Sequence, residues 1–149
     1  MDTTYYLPLA GMAVSGEPDV LARVLRNHTV VLSDINVVEI TATWGKALKG
    51  HRLEADAVER ALKTLLGDPR LSRASVLDPE VASHALKLRR SHSDIHDCLL
   101  LAQALTVSDR LVTEDSPLLD LSASEEIRAL AARFNPRFSV SPSKRLFSG

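Results

Sequence analysis

The amino-acid sequence predicts an α/β protein, a three-layer α/β/α sandwich around a mostly parallel sheet, and three observations carry the prediction. Short apolar runs, Val30-Val31-Leu32 and Arg110-Leu111-Val112-Thr113, alternate with longer segments of helical periodicity. Those runs lack the in–out alternation of a half-solvated strand, as expected of parallel strands covered by helices on both faces. No repeat, low-complexity tract or linker divides the 149 residues, so one domain over 1–149 is expected, with a tail over 141–149 that is weakly patterned and loose.

Taken in order, residues 3–14 are apolar but interrupted by Pro8 and Gly11, which predicts a broken helix. A regular helix follows from Glu17 to Asn27, with Val20, Leu21, Val24 and Leu25 at helical spacing. Val30-Val31-Leu32 reads as a buried strand, and Ser33-Asp34 caps a helix that runs to about Leu48 and stops at Gly50. A second amphipathic helix over 53–66 ends at the breaker Gly67-Asp68-Pro69. Val76-Leu77 is the expected next strand, Pro79 opens a helix to about Arg89, and Asp94 begins another through the apolar block Leu99 to Leu105. After the strand at 110–113, a single helical turn over 117–121 and a last helix from Ser124-Glu125-Glu126 complete the pattern.

With 45% hydrophobic and 25% charged residues the chain is far from the composition of disordered proteins. A net charge of −1 gives no global positive field, so any nucleic-acid binding has to come from a local patch rather than from coating. The lone Cys98 cannot close an internal disulfide, and no apolar run reaches the roughly 18 residues of a membrane helix. With no secretory signal pattern at the N-terminus, a reducing cytoplasm is the expected compartment and no membrane partner is expected.

In an open parallel sheet, sites form at the carboxyl ends of the strands, and several acids stand there. Asp115 follows the strand 111–113, with Thr113 beside it, and is either a turn residue before Pro117 or a site acid. Its neighbour Glu114 is expected in solvent. Glu39, within Val37-Val38-Glu39-Ile40, lies in the first turns of an apolar helix; a buried carboxylate there needs a cation or donor, unless it escapes along a polar edge. Asp94 and Asp97 share a face near a positive helix N-terminus; Asp94 is either cap or site member, and Asp97, ahead of Leu99-Leu100-Leu101, is favoured for the site. His92 and His96 match no zinc spacing and are left out as exposed and neutral. Cys98 reads as a small core residue.

Asp2-Thr3-Thr4, then Ser33 to Glu39, then His92 to Leu105, then Leu111 to Asp115, resemble in order and spacing the PIN domain, the VapC-like or archaeal ribonucleases among them. The third segment is the most specific, and the likeness spans about residues 2–121. It implies site roles for Asp2, Glu39, Asp97 and Asp115, supported by Thr113 and Asp94. It further implies magnesium or manganese as cofactor, single-stranded RNA as substrate, a homodimer, and in some members an antitoxin protein as partner. One departure stands out. The family's first Asp ends a central apolar strand, whereas Asp2 here is preceded by Met1 alone, so the first strand is truncated; a few apolar codons ahead of Met1 are expected.

On this reading Asp2 and Asp115 bind metal directly, Asp97 directly or through water, and Glu39 orients the water or bridges a second ion. Lys46, Lys49, Arg52, Arg89 and Arg90 are either phosphate contacts or ordinary solvated helix charges. The alternatives are a catalytically inactive PIN-like module that binds RNA or protein, and a phosphoryl acceptor, for which no matching nucleophile or Lys loop stands out.

Overall fold

The structure, a computed structural model, describes residues 1–14 and 19–147. The first element is a 3-10 helix over Thr3–Ala10, capped by the Asp2 side chain, which accepts from the Thr3 N–H at 2.6 Å. Pro8 inside it and Gly11 in a left-handed conformation (φ 86°) after it account for the broken pattern, since the backbone there needs a residue without Cβ. The predicted start of the next helix at Glu17 lies outside the described residues. That helix, α1, is Val20–Asn27.

The succession continues β1 (Val30–Ser33), α2 (Asp34–Lys49), α3 (Ala55–Gly67), β2 (Leu71–Ala74), α4 (Pro79–Leu88), α5 (Ile95–Val107), β3 (Arg110–Val112), α6 (Ser116–Ser122), α7 (Glu125–Phe134), β4 (Ser139–Ser141) and a closing 3-10 turn, Ser143–Leu146. The fold is α/β, as the sequence predicts, and all strand pairing is parallel. β1 pairs with β2 in the register Val30↔Leu71 to Ser33↔Ala74, and β3 with β4 from Arg110↔Ser139 to Val112↔Ser141.

Three expectations are corrected. The strand expected at Val76-Leu77 lies earlier, at Leu71–Ala74, because this strand at the sheet margin exposes Ser72 and Arg73 and carries no apolar run to mark it. The tail is not loose as far as Phe147: β4 pairs with β3, and Leu146 and Phe147 pack on the first core cluster. Among the described residues the sheet is two strand pairs rather than one continuous sheet.

Between those pairs lies a slot of about 520 Å³, lined by Val30 and Val31 of β1, Arg110 and Val112 of β3, and Met1. The chain enters beside it: the Asp2 N–H donates to the Val112 carbonyl at 2.9 Å, a single bond where a first strand would make several. The two strand pairs are thus parted at this slot.

Two apolar clusters fill the interior. One joins Tyr6, α1, Val30 and Leu32 of β1, Ile40 and Trp44 of α2, and Leu65 of α3; the other joins α4, α5, Leu111, α6 and Ile127. α5 is the deepest helix, with Leu101 and Leu105 fully buried, each contributing about 1.5–3 kcal/mol of transfer free energy. Cys98 is buried in this cluster, and burial pushes its thiol up, as a core cysteine requires.

Candidate active site

The exit of β3 brings two of the predicted acids to one hydroxyl. Thr113 is fully buried, its N–H donating to the Ser141 carbonyl at 3.2 Å, so β4 fixes its position. Its Oγ1 donates to Asp2 Oδ2 at 2.8 Å and accepts from the Asp115 N–H at 3.0 Å. Asp115 Oδ1 accepts from the Leu118 N–H at 2.9 Å and caps α6. Its turn role and its place beside Asp2 therefore coexist.

Glu39 is reached from the capping box of α2. Ser33 Oγ accepts from the Ile35 N–H at 3.2 Å, while the buried Asn36 accepts from the Ser33 N–H at 3.2 Å. The Asn36 amide then donates to Thr3 Oγ1 at 2.9 Å, which directs the Thr3 hydroxyl proton onto Glu39 Oε2. A Glu one turn after Asn36 lies on the same helix face, so the cap and the acid share one hydroxyl. The His96 ring stands 3.6 Å from the other Glu39 oxygen.

Asp97 sits in the first turn of α5, whose N-cap is Asp94: Asp94 Oδ1 accepts from the N–H groups of His96 at 2.7 Å and Asp97 at 3.4 Å. The His92 Nε2 lies 2.8 Å from Asp97 Oδ2. The side chains of Glu39 and Asp97 are each 28% exposed, so the acids open to solvent while their stems are enclosed.

The acids act on one another. Burial raises the Asp2 carboxyl above its ordinary range, hydrogen bonds from Thr113 and Thr3 work against that rise, and the charge of Asp115 adds to it. Glu39 is raised by burial, against the Thr3 bond and the nearby His96, with Asp2 and Asp97 adding to the rise. Asp97 is raised by burial, against its His92 bond, with Asp94 and Asp115 adding. Asp2 thus feels Asp115, Glu39 feels Asp2 and Asp97, and Asp97 feels Asp115. Burial is the larger influence at each of Asp2, Glu39 and Asp97, and the neighbouring charges add to it.

All the donors are carboxylate or hydroxyl oxygens, the set that suits a hard divalent cation. Among the described residues no three His, Cys, Asp or Glu side chains form a ready-made cage for an ion. Mg²⁺ typically keeps several waters and uses one or two carboxylates, and an ion held in that way would need no such cage. The acids line neither the slot nor the second large cavity, an apolar one of about 320 Å³ bounded by residues such as Leu9, Leu21 and Leu65.

Two expectations for neighbouring residues are corrected. His92 is largely covered, at 16% side-chain exposure, and bonded to Asp97, because the turn after α4 folds it back over α5. Glu114 is not a free solvated acid: it accepts from Tyr5 Oη at 2.9 Å, the Ser143 N–H at 2.9 Å and Ser143 Oγ at 2.6 Å. Burial raises its carboxyl, but the Ser143 and Tyr5 donors outweigh that and hold it below the ordinary range. Sequence reasoning missed Thr3 and Asn36 as holders of Glu39; the signal for Asn36 was its place three residues after the N-cap Ser33.

No helix among the described residues is long and apolar enough to cross a membrane. The family model described as PIN domain matches residues 9–124. That span includes Glu39, Asp94, Asp97, Thr113 and Asp115 and begins after Asp2. The curated proteins and the solved structures yield no match.

Proposed function

The chain belongs to the PIN-domain family, whose members are generally of the nuclease type, and from that premise we propose that it is a Mg²⁺- or Mn²⁺-dependent endoribonuclease acting on single-stranded RNA. The observation that carries the proposal is that Thr113 Oγ1 joins Asp2 to the Asp115 backbone at the exit of β3, while Glu39 is held by Thr3, the residue next to Asp2. Asp2, Glu39 and Asp97 are each raised by burial, with neighbouring acids adding to the rise, and a bound cation would relieve that cost.

In this reading Asp2 and Asp115 hold the cation from the β3 exit, Asp97 holds it from α5, and Glu39 orients the attacking water. The bound cation supplies charge neutralisation at the scissile phosphate and a more acidic water. Thr113 holds Asp2 by Oδ2, and Thr3, backed by Asn36, keeps Glu39 in place. Glu39 and Asp97, each 28% exposed, present acidic edges that suit a polymer lying across them better than a small molecule that has to be enclosed.

The proposal extends to a cytoplasmic site of action, a homodimer, and the role of toxin in a toxin–antitoxin pair; a neighbouring short reading frame for a DNA-binding antitoxin is the expected signature of that role. A second reading, a catalytically inactive module that binds RNA or protein, draws on the absence of a three-residue cage among the described residues. The readings separate in one assay: digestion of a defined single-stranded RNA with Mg²⁺, with Mn²⁺ and with chelator. Cleavage that needs the ion and disappears in Asp97→Asn supports the nuclease. Metal-independent cleavage contradicts the metal mechanism, and no cleavage under any condition supports the inactive module.

A further inference from the structure

We propose that His92 is a positioning residue of the acid site: held against the last turn of α4, it fixes the Asp97 carboxylate by one oxygen and leaves the other for a divalent cation. The inference deepens the nuclease reading and rests on it.

His92 is tied at both ends of its peptide unit. Its N–H donates to the Leu88 carbonyl at 3.1 Å, and its own carbonyl accepts from the Arg89 guanidinium at 2.9 Å. The imidazole therefore leaves a fixed point on the α4 side of the junction and reaches α5, the helix on which α4 packs most extensively. There Nε2 meets Asp97 Oδ2 at 2.8 Å. An ionised carboxylate only accepts hydrogen bonds, so Nε2 is the donor. Asp97 Oδ1 makes no hydrogen bond among the described residues.

Asp2 and Glu39 follow the same rule: each is oriented by a hydroxyl, Thr113 for Asp2 and Thr3 for Glu39. Asp97 lacks a hydroxyl partner, and the imidazole of His92 takes that part. Partners that orient metal-binding carboxylates in this way typically matter by about 10–100-fold in metal affinity or activity.

The test is a calorimetric titration with Mn²⁺ of the full chain and of Asp97→Asn, His92→Ala and His92→Gln, with circular dichroism and melting temperature recorded for each. Gln places an amide donor where Nε2 stands. The expected result is a fall in Mn²⁺ affinity of about 10–100-fold in His92→Ala, recovered to within about threefold in His92→Gln, with unchanged helix content. Weakened binding in Asp97→Asn with unchanged binding in His92→Ala overturns the role of His92 and leaves the metal site standing. Equal weakening in His92→Ala and His92→Gln also overturns it, because packing rather than the hydrogen bond then mattered. Unchanged binding in Asp97→Asn overturns the metal reading itself, and the positioning role with it. If His92→Ala does not fold, the comparison of parent with His92→Gln decides: a loss of tenfold or more contradicts the proposal.

Discussion

Asp97 combines an exposed edge, a histidine donor and two like charges, and its replacement by Asn separates function from stability. The Asn carbonyl still accepts from His92, while the repulsion from Asp94 and Asp115 disappears. We expect Asp97→Asn to abolish RNA cleavage and, in metal-free buffer, to raise the melting temperature by about 2–4 °C for each ~1 kcal/mol of repulsion relieved. A lowered melting temperature would show that the charge serves the fold. His84 gives a pH test remote from the site. It is buried against Phe134, ring centroids 4.7 Å apart, and its Nδ1 has no hydrogen-bond partner among the described residues. Burial lowers its proton affinity, with Lys87 adding to the effect. The folded state therefore resists protonation that the unfolded chain accepts near its ordinary value of 6.5, so stability is lost as pH falls below 6.5. In His84→Leu the drop in melting temperature between pH 7 and pH 5.5 should shrink; an unchanged drop assigns the acid sensitivity elsewhere. Residue types told much of this in advance. A Glu inside an apolar helix and an Asp at a strand exit are unusual enough to be noticed, but nothing in the sequence reveals that the donor to Glu39 is Thr3, thirty-six residues away.

Among the elements, legibility followed local chemistry. Ser33, Asp78, Asp94, Asp115 and Ser124 each cap the helix that follows them, and a cap is a contact within a few residues, so the starts of α2, α4, α5, α6 and α7 could be read directly. β2 and β4 could not, because they are short strands defined by pairing with β1 and β3 rather than by an apolar pattern of their own. The packing of α5 gives a stability prediction: Leu101→Ala should cost about 2–5 kcal/mol by chemical denaturation, and a loss below 1 kcal/mol would place Leu101 outside the core. The C-terminal strand gives another. Glu114 ties Tyr5 of the first 3-10 helix to Ser143 beyond β4. In Glu114→Ala, hydrogen exchange over residues 139–147 should accelerate by at least tenfold while α5 keeps its protection. Unaltered exchange would mean that β3 alone secures the tail.

At the scale of the whole molecule, the two strand pairs leave the slot beside Met1. Burial lowers the Met1 amino group to about 6, against the raising influence of Asp2, and Gln103 Nε2, which lines the neighbouring cavity with Met1, is buried without a partner. A peptide bond at Met1 would remove the buried amine, and an extended segment would offer carbonyls to Gln103 and to the strand edges. Adding four apolar residues ahead of Met1 should therefore raise the melting temperature by about 5 °C or more, net of the ordering cost of roughly 1–2 kcal/mol per residue, while a Gly-Ser addition of equal length should not. Equal effects of the two additions would count against a strand-shaped slot. The parting of the sheet into two pairs depends on packing that no local pattern encodes.

The claim on which all of this depends is that acids from the N-terminal segment, α2, α5 and the β3 exit serve one ion. A crystal grown with Mn²⁺ and measured at the manganese absorption edge tests it most directly. The predicted result is an anomalous peak bound by at least two of Asp2, Glu39, Asp97 and Asp115; a protein that takes up Mn²⁺ stoichiometrically with its peak elsewhere would contradict it.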